Sequence, residues 1–201
     1  MESTFLKKIL SLYKKSDQLL KSGKFGEGLW PLDPFVGQLL EELILTKKLK
    51  RGLEVGAGIG YSTIWFTSAF EETGGRLVAL EYFLPKVKEL EKNLRSFFGL
   101  QYEQTVQVVP TDIKKLVPKL SKGSKFDFIF FDQRKFEYLT HLKELIPFFK
   151  TGTYIAADNV ISHANECQDY LNFVKNDRRF ESVTIELGQG MELSRYVGSK
   201  S

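Results

Sequence analysis

From residue 51 onward, short apolar runs alternate with longer amphipathic ones, and this alternation leaves few architectures open. The apolar runs 52–55, 76–81, 106–109, 126–131 and 154–157 read as strands, and the stretches 61–71, 85–98, 112–119, 136–148 and 163–176 between them read as helices. Repeated strand-then-helix units imply parallel strands, because each crossover must lay its helix on a face of the sheet. The tail breaks the pattern. Residues 182–187 and 191–197 flank Gly188-Gln189-Gly190 and read as a β-hairpin, so the last strand is expected to run antiparallel. The expectation is one α/β domain, a doubly wound, mostly parallel seven-stranded sheet with an antiparallel C-terminal strand.

Ahead of this domain, Phe5, Leu6, Ile9, Leu12, Tyr13, Leu19 and Leu20 fall near helical spacing with lysines between them, predicting an amphipathic helix over 4–21. Residues 22–32 carry Gly23, Gly26, Gly28 and Pro31 and read as a loop. Asp33-Pro34 then reads as an N-cap with proline at the first helical position, opening a helix to about Leu45. The division is therefore residues 1–32 as an N-terminal helix and loop, serving as lid or dimer element, and 33–201 as the main domain.

With 201 residues, 42% hydrophobic and 27% charged, the chain can build one sizeable core, which excludes intrinsic disorder. The net charge of +4 invites a nucleic-acid reading until its distribution is considered. The first 25 residues hold six lysines against Glu2 and Asp17, leaving 23 basic and 23 acidic groups in an electrically balanced body. Cys167 is the only cysteine, which excludes an internal disulfide framework and a cysteine-based zinc site. No apolar run approaches the ~18 residues of a membrane span, and the first residues lack a signal-peptide core. A soluble, cytoplasmic protein without membrane association is expected.

Leu53-Glu54-Val55-Gly56-Ala57-Gly58-Ile59-Gly60-Tyr61-Ser62 lies where the first strand turns into a helix. Glycines there permit a tight turn and close approach of a ligand to the backbone. Tyr61 stands where a dinucleotide fingerprint requires glycine or alanine, which weakens an NAD reading. Glu81 closes the second strand and is placed to accept both hydroxyls of a ribose; Asp112, in Pro110-Thr111-Asp112, follows the third. Each acid alone suits a cap or a solvated loop. Together with the glycine loop, at the ends of three successive strands, they point to a nucleoside-bearing cofactor.

The fourth strand ends in Asp132-Gln133-Arg134-Lys135 and the fifth in Asp158-Asn159. Two carboxylates and an amide oxygen at one sheet edge suit a hard divalent cation. Lys135, three residues after Asp132, is close enough to serve as a general base; pairing with Asp132 or Glu137 is the competing reading.

These residues resemble a known family. Glu54-Val-Gly-Ala-Gly-Ile-Gly-Tyr-Ser, Leu80-Glu81, Thr111-Asp112, Asp132-x-x-Lys135-x-x-Tyr138 and Asp158-Asn159 together are similar to the S-adenosylmethionine- and divalent-metal-dependent O-methyltransferases of the catechol and caffeoyl-CoA type, over about residues 33–197. The resemblance implies the Rossmann-like class I methyltransferase fold. It places the methionine part of S-adenosylmethionine on Glu54, Gly56, Ala57, Gly58, Gly60 and Ser62, the ribose on Glu81, and the adenine by Asp112, with Asp132 adjoining the cofactor. It implies Mg²⁺ or another divalent cation on Asp132, Asp158 and Asn159, with Asp132 and Lys135 catalytic and Lys135 the base. The chain departs from family members at Gln133-Arg134. The late carboxylate with which the catechol enzyme meets its substrate has only Glu186 and Glu192 as neighbours in sequence.

The leading expectation is methyl transfer to a vicinal dihydroxy or similar chelating phenol. The rivals are methylation of a hydroxylated tRNA base, with the lysine arm on RNA phosphates, and a catalytically silent cofactor-binding protein. The amphipathic first helix also fits a homodimer contact. Of the two histidines, His141 reads as structural and His163 as lining the substrate mouth, while Trp30 and the aromatic stretch 25–35 read as a lid or as core anchors.

Overall fold

The computed structural model describes residues 4–23, 25, 31–121 and 123–198. Trp30 and most of the expected lid lie outside them. Helix α1 (Thr4–Lys21) and α2 (Pro34–Thr46) precede β1 (Arg51–Val55), after which strands and helices alternate: α3 (Tyr61–Thr73), β2 (Arg76–Leu80), α4 (Leu84–Phe98), β3 (Val106–Val109), α5 (Ile113–Leu116), β4 (Phe126–Phe131), α6 (Tyr138–Leu145), β5 (Phe149–Ala157) and α7 (Ala164–Asn176). The hairpin strands β6 (Phe180–Ile185) and β7 (Met191–Tyr196) complete the chain.

The seven strands form one sheet in the order β3-β2-β1-β4-β5-β7-β6. Only β7 is antiparallel, inserted between β5 and β6. The order reverses between β1 and β4, and in such sheets ligands bind beyond the carboxyl ends of the strands at that reversal.

Both faces are covered. Ile9 and Leu12 of α1, Val36 and Leu40 of α2, Ile64 and Phe66 of α3 and Leu90 of α4 form one apolar layer. Ile113, Leu142, Leu145, Tyr170 and Val174, from α5 to α7, form the other. Strand β4 contributes Phe128 and Phe130 to the first layer and Ile129 and Phe131 to the second, which is why its sequence is an almost unbroken apolar run. The exception, Asp127, is buried at the opposite edge from the strand carboxyl ends. There it accepts from the backbone N–H groups of Lys50 and Arg51 and from Lys150 Nζ.

Asp33 caps α2 as its sequence predicts, accepting from Phe35 N at 2.8 Å with Pro34 following. Three elements differ from expectation by more than two residues. The helix expected over 112–119 is α-helical only to Leu116, because Pro118 lacks the donor that would continue it. The one expected over 136–148 opens and closes in tighter turns, the last at Pro147. Strand β5 begins at Phe149, five residues early. A bulge opposite Phe126 and Phe128 absorbs the extra chain, and Thr153 Oγ1 substitutes for the missing ladder bonds, accepting from Lys150 N and donating to Phe126 O.

Helix α1 packs on α3 and α4 of its own chain. Phe5 meets the rings of Trp65 and Phe97 edge-on, Ile9 and Leu12 are buried, and Tyr13 lies against Tyr61. Three of its lysines are engaged within the chain: Lys15 with Glu89 at 2.9 Å, Lys21 with Asp17 at 2.7 Å, and Lys8 with the carbonyl of Ser96. Among the described residues, no helix is long and apolar enough to cross a membrane.

Candidate active site

The turn from β1 into α3 is shaped by where its backbone must go. Gly56 N and Ala57 N both donate to Leu80 O, and Asp132 N donates to Val55 O, so the loops following β1, β2 and β4 are laced together. Gly56 sits at φ +94°, and a Cβ there would lie 2.6 Å from the Asp132 carbonyl oxygen. Only glycine satisfies both conditions. Gly60, at φ +90°, caps α3, and a Cβ there would meet Leu90 Cδ1 at 2.3 Å.

Glu81 does more than wait at a strand end. Its Oε2 accepts from Gly58 N at 3.0 Å and its Oε1 from Phe83 N at 2.8 Å, so it braces the glycine loop from the neighbouring strand. Burial raises its carboxyl above the usual range despite these donors. Glu54 is fully buried behind the loop, where Ser62 Oγ donates to its Oε1 at 2.5 Å. Its Oε2 has no partner, and burial pushes the carboxyl up to about 7. Asp112 caps α5, accepting from Lys114 N at 2.8 Å.

These loops enclose a cavity of 1090 Å³ at the strand carboxyl ends, which Gly56, Ala57, Gly58, Ser62, Glu81, Asp112, Asp132 and Lys135 all line. Glu54, Gly60, Asp158 and Asn159 are not on that wall. The sequence did not mark Tyr82, Lys86, Gln133, Phe136, His141, Ser16 or Leu32, which also line it. His163 does, as its position after Asp158-Asn159 implies, with Ser162 Oγ 2.9 Å from its Nδ1.

At the ends of β4 and β5, Lys135 Nζ donates to Asp132 Oδ1 at 2.6 Å, both groups being largely shielded from solvent. Asp158 is 3% exposed, and burial followed by the Asp132 charge pushes its carboxyl up to about 7. Asp132 is raised by burial too, although Lys135 opposes the shift. Asn159 is held in the left-handed region at φ 61°, and its Oδ1 is buried without a partner. Two buried carboxylates that repel one another, beside an unpaired amide oxygen, fit a hard divalent cation by the chemistry of the donors. Tyr138, quoted in the sequence motif without a role, supplies the frame. Its hydroxyl lies 3.1 Å from both Phe131 O and Asp158 O, joining the two strand ends that carry Asp132 and Asp158.

Neither late glutamate reaches this cluster. Glu186 is exposed, and Glu192 is buried on β7 accepting from the hydroxyls of Ser182 and Thr184.

The raised carboxyls predict how stability depends on pH. Glu54 and Asp158 bind protons more tightly in the folded chain than unfolded, so their contribution is greatest in acid and is lost as pH rises from about 4 through about 7. Thermal unfolding of the metal-free protein should show a midpoint falling by about 5 °C or more between pH 5 and pH 8. Asp158→Asn, which cannot ionise, should flatten that slope, and saturating Mg²⁺ should do the same for the unaltered protein. An identical slope in Asp158→Asn would exclude the assignment.

A family model described as O-methyltransferase matches residues 32–197. Among curated relatives, catechol O-methyltransferase B of Danio rerio is 29% identical over 174 residues, covering 81% of this chain and 64% of that protein. Catechol O-methyltransferase of Niastella koreensis is 33% identical over 132 residues, covering 65% of this chain and 58% of that protein. The matched region thus spans less than two thirds of either relative's length. Among solved structures, the O-methyltransferase TomG of Streptomyces achromogenes, determined in complex with S-adenosylmethionine, superposes with a TM-score of 0.80 at 19% identity, covering 98% of this chain and 92% of that one.

Proposed function

The chain belongs to the O-methyltransferase family, and from that membership we propose that it transfers a methyl group from S-adenosylmethionine to one hydroxyl of a catechol-like or other chelating small molecule, with a divalent cation on Asp132, Asp158 and Asn159. The observation that carries this reading is the bonded pair of Lys135 and Asp132 on the cavity wall, with the buried Asp158 close enough for the Asp132 charge to raise its carboxyl.

S-adenosylmethionine, when bound, supplies an electrophilic methyl group on a positively charged sulfur. The cation, when bound, supplies a Lewis acid that favours ionisation of a hydroxyl among adjacent oxygens. The chain's residues do the rest. Gly56 lets the glycine loop close against the Asp132 backbone, which keeps the cofactor end of the cavity next to the cation end. Glu81 holds Gly58, and the second lone pairs of its oxygens remain for a ribose. Glu54, buried behind the loop, places a carboxyl beneath the part of the cavity where a cationic amino group would lie. Lys135 Nζ, held beside Asp132, is the atom placed to take the acceptor's proton, which it does as the neutral amine after giving up its own. Holding both reactants in one enclosed space supplies much of the rate, since positioning converts a bimolecular encounter into a unimolecular step.

The test is transfer of labelled methyl from S-adenosylmethionine to catechols, hydroxycinnamoyl thioesters and bulk tRNA, with EDTA or with Mg²⁺. Transfer to a chelating phenol that EDTA abolishes and Mg²⁺ restores is expected. Transfer insensitive to EDTA would overturn the metal. Transfer to tRNA alone would replace the acceptor class, and none with any acceptor, despite binding of the cofactor product, would remove it.

A further inference from the structure

The buried face of α4 consists of Val87, Leu90, Asn93 and Leu94. Leu90 and Leu94 belong to the apolar layer that covers the sheet, and a hydrophobic pattern alone gives no reason for an amide between them. Asn93 is 6% exposed, and a buried amide is costly unless it is hydrogen-bonded. Its partner lies far away in the chain. Asn93 Nδ2 donates to Ile59 O, in the glycine loop, at 2.8 Å. A carbonyl oxygen only accepts, so the partner itself settles which way the amide is turned.

The bond lands on the second half of the loop. The first half is held from the β2 side through its N–H groups, Gly56 and Ala57 on Leu80 O and Gly58 on Glu81. The second half closes on itself where Gly60 N donates to Ala57 O at 2.8 Å, and it is fixed to the rest of the chain at Ile59. The Ile59 side chain is buried with Phe25 and packed against Leu19, while its carbonyl is held by Asn93. One turn earlier on α4, Leu90 closes against Gly60. The peptide joining Ile59 to Gly60 is thereby held from two sides, and it leads directly into α3. Tyr61 and Ser62, in the first turn of α3, both line the cavity. First-turn N–H groups have no partner within their helix, and their direction follows from the peptide that precedes them.

We infer that Asn93 is a positioning residue for the methyl donor: by fixing the Ile59 carbonyl it holds the end of the glycine loop and the first turn of α3 in the shape that receives S-adenosylmethionine, without touching the ligand. This rests on the cofactor reading above and adds to it a residue of α4 that is not on the cavity wall. A loop already in its binding shape spares the ligand the cost of ordering it. Asn93 therefore acts on affinity for the donor, and the transfer step beside Lys135 and Asp132 runs normally once the donor is bound.

The test is calorimetric titration with S-adenosylhomocysteine, together with steady-state kinetics on the best catechol acceptor and thermal unfolding, for the intact protein and for Asn93→Leu, which is branched at Cγ like asparagine and cannot donate. The variant should bind S-adenosylhomocysteine about 10-fold more weakly, with the KM for S-adenosylmethionine raised by a similar factor and kcat at saturating donor within about threefold. A residue that served folding alone would move the unfolding midpoint and leave the affinity of the folded protein unchanged. Asn93→Asp gives a second reading if the leucine variant fails to fold. A protonated carboxyl donates to Ile59 O and an ionised one is repelled by it, so the loss of affinity relative to the unaltered protein should be small near pH 5 and grow toward pH 8. Affinity within about twofold of the unaltered protein in folded Asn93→Leu, or a pH-independent ratio for Asn93→Asp, would overturn the inference while the cofactor reading stands. Failure of the unaltered protein to bind S-adenosylhomocysteine would overturn both.

Discussion

Lys135→Ala is expected to lower kcat for methyl transfer by about 10²–10⁴, the range that a positioned general base contributes, while leaving the affinity for S-adenosylhomocysteine within a few fold. The asymmetry follows from geometry. Lys135 Nζ is bonded to Asp132 Oδ1 at 2.6 Å on the wall of the cavity, where the proposed acceptor hydroxyl would meet it, and the glycine loop and Glu81 hold their positions without it. The variant also removes the cation that restrains Asp132, so its metal-free form should show a still higher carboxyl value there. Lys135→Met, of similar length, separates the two effects, because it keeps the packing and loses only the amine. Steady-state kinetics on the best acceptor, paired with calorimetry, decides the matter: kcat within tenfold of the unaltered protein in both variants would remove Lys135 from the reaction.

The second large effect concerns Glu81. Glu81→Ala should weaken S-adenosylhomocysteine binding about 100-fold or more and cost roughly 1–3 kcal/mol of folding stability, since it takes the acceptor from the N–H groups of Gly58 and Phe83 as well as from the ligand. Glu81→Gln keeps one oxygen and should recover most of the stability but little of the affinity, because an amide nitrogen cannot accept from Gly58 N. Chemical denaturation and calorimetry read these quantities independently. An alanine variant as stable as the unaltered protein would show that the brace carries no load.

Much of the architecture was legible in advance because it depends on local periodicity. The strand-then-helix alternation predicts parallel order, and parallel order by itself sends the segments after Val55, Leu80, Val109, Phe131 and Ala157 to the same edge. That is why Gly56, Glu81, Asp112, Asp132 and Asp158 were identifiable from spacing alone. The early start of β5 was not, because a bulge is a mismatch between two strands and leaves no mark in either one. Nor was the status of Glu192, whose sequence position near the hairpin turn says nothing of the hydroxyls of Ser182 and Thr184 that enclose it.

Lys135 illustrates the boundary. Its spacing from Asp132 allowed a base or an ion pair with either of two acids, and the fold selected Asp132 while giving Glu137 to Lys114. Likewise the amphipathic pattern of α1 required an apolar partner without naming it, and the partner is α3 and α4 of the same chain. The sequence by itself determined the order of the elements and which acids gather at one sheet edge, since both follow from chain direction and residue period. Only the tertiary structure decided which polar atoms find partners and which remain open: the brace from Glu81 to Gly58, the Tyr138 link between two strand ends, and the unpaired ends of Gln133, His141 and Asn159. Those outcomes depend on distances between loops that no local pattern encodes.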